Sequence, residues 1–453
     1  MAIDLARVDA YLEAHLDETL AELGRLCAQP SVAAQGLGMA ECAELTATML
    51  REHGLDAEVV PSDGFPVVLG EMAGASEKTL LFYNHYDVQP AEPLELWDSP
   101  PFEMTRRDGK LYARGVGDDK GHIVSRLAAI RAILATHDGL PCRVKFIIEG
   151  EEEIGSNTLT AFVQQHADRL RADGCIWEFG GVNYNGRPFT YLGMRGDFYV
   201  ELSVKTLTSD AHSGLGGSLF PNAAWRLTWA LATLKAQDER IQIAGWYDDV
   251  LEPSAYDREL LAALPNEEEQ LKAGYGLSGF LGGVTGVALR EQEVFVPTCT
   301  ISGLTSGYQG PGSKTVLPAE ARAKIDFRLV PDQDPADLLP KLRRHLNEHG
   351  FGDVVITQLG GEHPARTTSD SPFVDLVTES AAGLYGKPAI IAPMSGGSGP
   401  MYPFVKYLGV PIANAGIGRP ESNAHAPNEH VYVEEFLRGA KHIARIMAGM
   451  TDL

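Results

Sequence analysis

The chain is 453 residues long, 44% hydrophobic and strongly acidic, with a formal net charge of −23 at pH 7. That length exceeds what one hydrophobic core ordinarily holds, so two domains are expected, and the charge disfavours nucleic acid phosphates and anionic membranes as partners. No apolar run approaches a membrane span, and the opening sixteen residues resemble an amphipathic helix, not a signal peptide. Cys27, Cys42, Cys142, Cys175 and Cys299 are scattered, odd in number and form no CxxC pair. They read as free thiols, and a soluble cytoplasmic protein is the expectation.

Leu5, Val8, Leu12, Leu16, Leu20 and Leu23 recur at intervals of three and four, which predicts one long helix ended by Pro30. A second helix is expected over Met39–His53, closing at Gly54. Strands follow at Ala57–Val60 and Val67–Met72, and then a buried strand over the apolar run Leu80–Tyr83. Gly121–Thr136 then reads as a helix, Arg143–Ile148 as a strand, and a further helix starts at Thr158. This alternation predicts an α/β sheet flanked by helices, mixed but mainly parallel.

Beyond Arg195 the texture changes. Phe198–Val204 and Ala321–Leu329 alternate as half-exposed strands, with helices at Asn222–Lys235 and Leu338–His349. Polar, glycine-rich sequence spans Glu252–Gly286, where no element is predicted. After about Pro364 the α/β texture returns: helix Phe373–Tyr385, strands Ala389–Pro393 and Val410–Ala415, and a final helix Glu434–Met450. The expected organisation is a first part of one domain at 1–195, an inserted smaller α+β domain at 196–364, and the second part at 365–453.

Polar clusters sit at the ends of these strands. The Leu80 strand runs into His85-Tyr86-Asp87, and residues two apart on a strand face the same side. Open α/β sheets build their sites at such C-terminal ends. Gly115-Val116-Gly117-Asp118-Asp119-Lys120 puts two adjacent aspartates between glycines. It also reads as an acidic turn capping the next helix. Glu149, Glu151, Glu152 and Glu153 crowd the end of the Arg143 strand, enough both for metal ligands and for a free general base, or for a solvated acidic loop. Glu178 follows a short apolar strand, with Asp173 nearby, and His425 precedes the last helix. Nitrogen and oxygen donors without cysteine suit two closely spaced divalent metals bridged by a carboxylate.

His85-Tyr86-Asp87, Asp118-Asp119-Lys120-Gly121, Glu152-Glu153-Ile154-Gly155-Ser156, Glu178 and His425 resemble, in order, the signatures of the co-catalytic zinc metallopeptidases. That superfamily includes carnosinase-type dipeptidases, glutamate carboxypeptidase, acetylornithine deacetylase and succinyl-diaminopimelate desuccinylase. The resemblance implies one metal on His85 and Glu178, the other on Glu153 and His425, with Asp118 bridging. It implies a cis peptide bond after Asp118, with Asp87 steadying His85 and Glu152 as general base. Zinc is the expected metal, with cobalt and manganese as alternatives.

In the inserted domain, Ser209-Asp210-Ala211-His212-Ser213-Gly214 resembles the segment whose histidine reaches a neighbouring subunit's site, which implies a homodimer. Lys314-Thr315-Val316 and Phe327-Arg328-Leu329 resemble the carnosinase branch, where threonine and arginine hold the substrate. His363 and Ser398 resemble further contacts. The implied activity is hydrolysis of a dipeptide or another small carboxylate-terminated peptide. The alternatives are removal of an acyl group from an N-acyl amino acid, or metal binding without catalysis.

Overall fold

The structure is a computed structural model describing residues 2–368 and 370–453. The chain forms two compact units. One comprises Met1–Leu192, Thr367–Pro393 and Pro400–Leu453; the other comprises Gly193–Arg366 and Met394–Gly399.

The first unit is built on a six-stranded sheet ordered Asp56–Val60, Val67–Met72, Cys142–Glu149, Ser76–His85, Gly174–Trp177, Ile412–Asn414. The first two strands join antiparallel, and the remaining four run parallel. Their burial explains the apolar runs: Leu80 to Tyr83 and Phe146 to Ile148 are sealed on both faces. The register sets His85 beside Glu149 and Trp177 beside Asn414. Four parallel strands therefore end at one edge, and the segments that follow carry the polar clusters.

The helix Lys120–Thr136 is buried almost all round and packs against Val433–Gly449 and Leu5–Ala14. A helix enclosed on every side can be apolar throughout, which is why its sequence lacks a polar stripe. The expected long first helix is two helices, Leu5–Ala14 and Leu16–Cys27. They part at His15, whose ring stacks on Tyr11 and whose Nδ1 donates to the Tyr11 carbonyl at 2.9 Å. The buried faces continue across the break, through Val8, Leu12, Leu20 and Leu23, so the periodicity gave no sign of it.

The second unit has a four-stranded antiparallel path ordered Thr300–Ser306, Glu320–Leu329, Gly193–Lys205, Val355–Glu362. One face carries Phe198, Val200, Leu202, Ile325 and Phe327 into a core with Leu227, Trp246, Leu338 and Leu342. The Glu252–Gly286 stretch, expected to hold no element, contains helices Ala255–Ala263 and Glu268–Tyr275. A capping box starts the first: Ser254 Oγ accepts from Asp257 N at 3.1 Å, and the Asp257 carboxylate accepts from Ser254 N at 2.8 Å. Its Leu261 packs on Val294, Phe295 and Met394.

Candidate metal centre

His85 is the last residue of its strand, and both ring nitrogens are engaged. Nε2 lies 3.1 Å from Asp118 Oδ1. Nδ1 lies 3.1 Å from the Asp87 main-chain oxygen and 3.4 Å from Asp87 Oδ1. Burial opposes a charged imidazole, but the Asp118 and Asp87 contacts outweigh it and hold the His85 pKa well above its ordinary value. Burial likewise works against an ionised Asp118, yet hydrogen bonds with His425 and His85 keep its pKa below the usual carboxylate range. The Asp118–Asp119 peptide bond is cis.

The glutamate run divides by direction. Glu149, still in the strand, accepts from Tyr83 Oη at 2.7 Å and Ser156 Oγ at 2.9 Å. Burial, reinforced by the Asp87 charge, pushes its pKa up to about 8. Glu151 turns away and accepts from Thr158. The backbone then tightens into a 3-10 turn over Glu152–Ile154. Glu153 Oε2 lies 3.1 Å from His425 Nε2 and accepts from Gln89 Nε2 at 2.8 Å. Burial raises the Glu152 pKa well above normal; His85 opposes the shift, while Asp118, Glu153 and Asp87 add to it.

His425 arrives on a loop of unusual backbone, with Asn423, His425 and Asn428 all at positive φ. Non-glycine residues hold such angles only where the surroundings fix them, often at functional sites. His425 Nε2 lies 2.9 Å from Asp118 Oδ2, opposite the oxygen that faces His85. Its pKa is raised to about 10, first by the Asp118 and Glu153 hydrogen bonds. Glu178 lies just past the Gly174–Trp177 strand, and its buried Oε2 has no hydrogen-bond partner among the described residues. Burial, then the Glu152 charge, lifts its pKa well above normal. Asp173, at the opposite end of that strand, instead accepts from Thr79 N at 2.8 Å and Lys78 Nζ at 3.2 Å.

The supporting roles of Gln89 and Glu429 escaped the sequence reading, whereas Arg114 stands out there as a cation beside the aspartate pair. Gln89 holds Glu153, and Glu429 with Arg114 holds the Asp118 loop, with Arg114 Nη1 donating to Glu429 Oε2 at 2.7 Å. Behind the site, Asp119 Oδ2 accepts from His85 N at 3.2 Å and Asn84 Nδ2 at 2.5 Å. Arg126 Nη1 in turn donates to the Tyr83 carbonyl at 2.7 Å. These bonds fix the end of the His85 strand on its buried side.

In the second unit, Arg328 and Ser398 meet: Arg328 Nη1 donates to Ser398 Oγ at 2.7 Å, and its Nε donates to Asp326 at 3.3 Å. His212 is exposed at the start of the Ser213–Gly216 turn, its Nδ1 accepting from Gly214 N at 3.0 Å. The Ala211–His212 and Val316–Leu317 strands pair, and the Thr315 carbonyl accepts from Ser213 N at 3.1 Å. His363 Nε2 lies 3.9 Å from Asp334.

The donor atoms of His85, Asp118 and Glu153 lie within 4.8 Å of one another, and His425 adjoins two of them. Imidazole nitrogens and carboxylate oxygens without a thiol suit zinc, cobalt or manganese. The unpartnered Glu178 oxygen and the excess of buried carboxylates call for positive charge at this point. The residues fit a pair of divalent cations.

Residues 81–449 match the sequence model of peptidase family M20/M25/M40. The chain is 37% identical to the M20 family metallo-carboxypeptidase Sso-CP2 of Sulfolobus solfataricus. Their structures superpose with a TM-score of 0.91 over 96% of this chain and 100% of that one. It is 28% identical over 406 residues to the human Beta-Ala-His dipeptidase, covering 86% of this chain and 78% of that protein. It is 26% identical over 468 residues to the Cys-Gly metallodipeptidase dug1 of Schizosaccharomyces pombe, covering 97% of each.

Proposed function

The chain belongs to peptidase family M20/M25/M40 and is a metal-dependent peptide hydrolase, and on that premise we propose that it cleaves dipeptides and short peptides bearing a free C-terminal carboxylate. The convergence of His85, Asp118, Glu153 and His425 at the C-terminal edge of a parallel sheet carries this reading. The dipeptidase and carboxypeptidase names of the relatives support the substrate class.

His85 and Glu178 are assigned to one ion, Glu153 and His425 to the other, and Asp118 to both. Zinc is the proposed metal. Divalent ions bound there supply Lewis acidity and lower the pKa of water. Glu152 removes the proton from the attacking water and returns one to the leaving amide nitrogen. A positioned carboxylate can accept a proton in one step and donate it in the next. Asp87 steadies His85 and the Glu153 backbone. Arg328 is the proposed anchor for the substrate carboxylate, since its planar fork can form two parallel bonds to one. Ser398 sets its orientation, and Thr315 and His363 are further substrate contacts.

His212 is assigned to the oxyanion of a partner subunit's substrate, so the active form is a homodimer. Two exposed apolar features support a second copy as the occupant. Helix Ala223–Leu231 presents Trp225 and Trp229, 57% and 55% exposed and stacked with centroids 5.7 Å apart. The edge strand Thr300–Ser306 presents Ile301 and Leu304. Exposed apolar patches beside an open edge usually mark an interface. A cytoplasmic location is proposed from the five buried free cysteines.

Turnover of dipeptides, longer peptides and N-acyl amino acids by purified protein of measured metal content tests the substrate class. Cleavage confined to N-acyl amino acids would replace this reading with a deacylase. Metal bound without turnover of any of them would replace it with a catalytically silent protein.

A further inference from the structure

Glu429 lies in the His425 loop but takes no part in the chemistry above. It is completely buried. Its Oε2 accepts from Arg114 Nη1 at 2.7 Å and Gly115 N at 3.0 Å. Its Oε1 accepts from Gly117 N at 2.9 Å and Asp118 N at 3.0 Å. An ionised carboxylate offers about four lone-pair directions, and four donors occupy them. Glu429 therefore has no capacity left to ligate a metal, in spite of its acidic neighbourhood. Burial pushes its pKa above the ordinary value; the Arg114 charge and the backbone N–H groups oppose this and the Asp118 charge adds to it.

These contacts join two segments that are remote in sequence. The Gly115–Asp118 turn accepts nothing from this carboxylate; it only donates, so the carboxylate fixes where each N–H points. One of those N–H groups is that of Asp118, whose two oxygens face His85 and His425. Four residues before Glu429 stands His425 itself. Arg114 closes the loop from the other side, reaching the Ala426 carbonyl at 3.5 Å and the Pro90 carbonyl at 3.2 Å. A short antiparallel pairing, His430–Tyr432 with Lys110–Tyr112, also ties the two segments but stops short of both site residues.

We propose that Glu429 is a positioning residue for the metal centre, its saturated carboxylate holding the Asp118 turn against the His425 loop so that Asp118 spans the gap between His85 and His425. The inference rests on the assignment of Asp118 and His425 as ligands. Glutamine at 429 would keep the size but set an NH2 group against two donor N–H groups, disturbing the turn at Gly117–Asp118 or at Arg114–Gly115. Groups that orient metal ligands typically change affinity by about 10- to 100-fold when altered.

The test is competition for Zn2+ against a chromophoric chelator, with thermal unfolding of each metal-free protein beside it. Glu429→Gln is expected to bind Zn2+ about 10- to 100-fold more weakly than the parent. Glu435→Gln is the control: Glu435 is also buried and paired, with Arg419 Nε at 3.1 Å, but touches neither segment. It is expected to lower the metal-free melting temperature and leave Zn2+ affinity unchanged. Parental affinity in Glu429→Gln, or an equal loss in Glu435→Gln, overturns the proposal. Should Glu429→Gln not fold, Glu429→Asp keeps the charge but withdraws it by one methylene, and is read by the same criteria. Asp118→Asn and His425→Ala run in parallel. If they keep parental affinity, the ligand assignment itself fails; if they lose it while Glu429→Gln does not, only the positioning role fails.

Discussion

Asp87 Oδ2 accepts the backbone N–H of Glu153 at 2.9 Å, so the strand-end motif and the glutamate run are joined by one hydrogen bond. The other oxygen of the same carboxylate lies 3.4 Å from His85 Nδ1, whose nearer partner is the Asp87 main-chain carbonyl at 3.1 Å. Asp87 thus serves two proposed ligands at once, one through each oxygen. Its backbone contact to His85 would survive loss of the side chain. Asp87→Ala is therefore expected to weaken metal binding and kcat/KM by about 10- to 100-fold without abolishing either. Asp87→Asn, which can still accept from Glu153 N, should lose less. Metal content after dialysis and kcat/KM of the two variants check this ordering, and equal losses would contradict it.

Glu152→Gln separates binding from chemistry. The amide keeps the volume of the carboxyl and removes the proton acceptor, and Glu152 is not among the assigned ligands. Positioned proton transfer contributes about 10²- to 10⁴-fold. The variant should keep the parent's metal content while kcat falls within that range. Unchanged kcat in fully metal-loaded variant protein would remove Glu152 from its role.

The parallel strands and the helices between them were legible because burial on both faces leaves unbroken apolar runs such as Leu80 to Tyr83. The family resemblance rested on short ordered motifs that fall just past those runs. What the sequence could not assign was direction. Glu149, Glu151, Glu152 and Glu153 look alike in the sequence, but the chain leaves the strand's two-residue period for a 3-10 turn within them. Only then does Glu153 turn to His425. Glu429 was invisible for a related reason: its partners are an arginine and main-chain N–H groups more than 300 residues earlier. The polar 252–286 stretch misled through composition, although Ser254 and Asp257 spell a capping box.

His212 provides a test of subunit sharing. If it acts on a partner's substrate, His212→Ala and Glu152→Gln homodimers each contain two defective sites. A hybrid dimer contains one site with both groups intact. Each pure variant should lose activity, His212→Ala by about 10²- to 10³-fold as expected for one oxyanion donor. A mixture allowed to exchange subunits should regain a fraction of parental activity, with dimer mass confirmed by light scattering. No recovery despite proven exchange would place His212 in its own subunit's site or outside any site.

The metal-free protein should become less stable as pH rises. The His425 pKa goes from an ordinary 6.5 up to about 10 in the fold, held there by Asp118 and Glu153. The Glu149 pKa goes from 4.5 up to about 8 through burial. Both groups bind protons more tightly folded than unfolded, so each contributes stability at low pH that drains away as pH climbs through the folded value. Asp118 shifts the other way, but its contribution is lost only as pH falls below its ordinary 3.8. Burial lowers the His442 pKa from 6.5 to about 4, which opposes this trend below about pH 6.5, so the slope is negative from about pH 6.5 to about pH 10. Metal binding requires a neutral His425 and displaces its proton, so affinity should strengthen across the same interval. Calorimetric melting at pH 6.5, 8 and 9.5 should show the metal-free midpoint falling and its gap below the metal-loaded midpoint widening. In His425→Ala the metal-free midpoint should fall less steeply. A metal-free midpoint that stays level or climbs would show that the charges around His425 do not hold its proton in the folded chain.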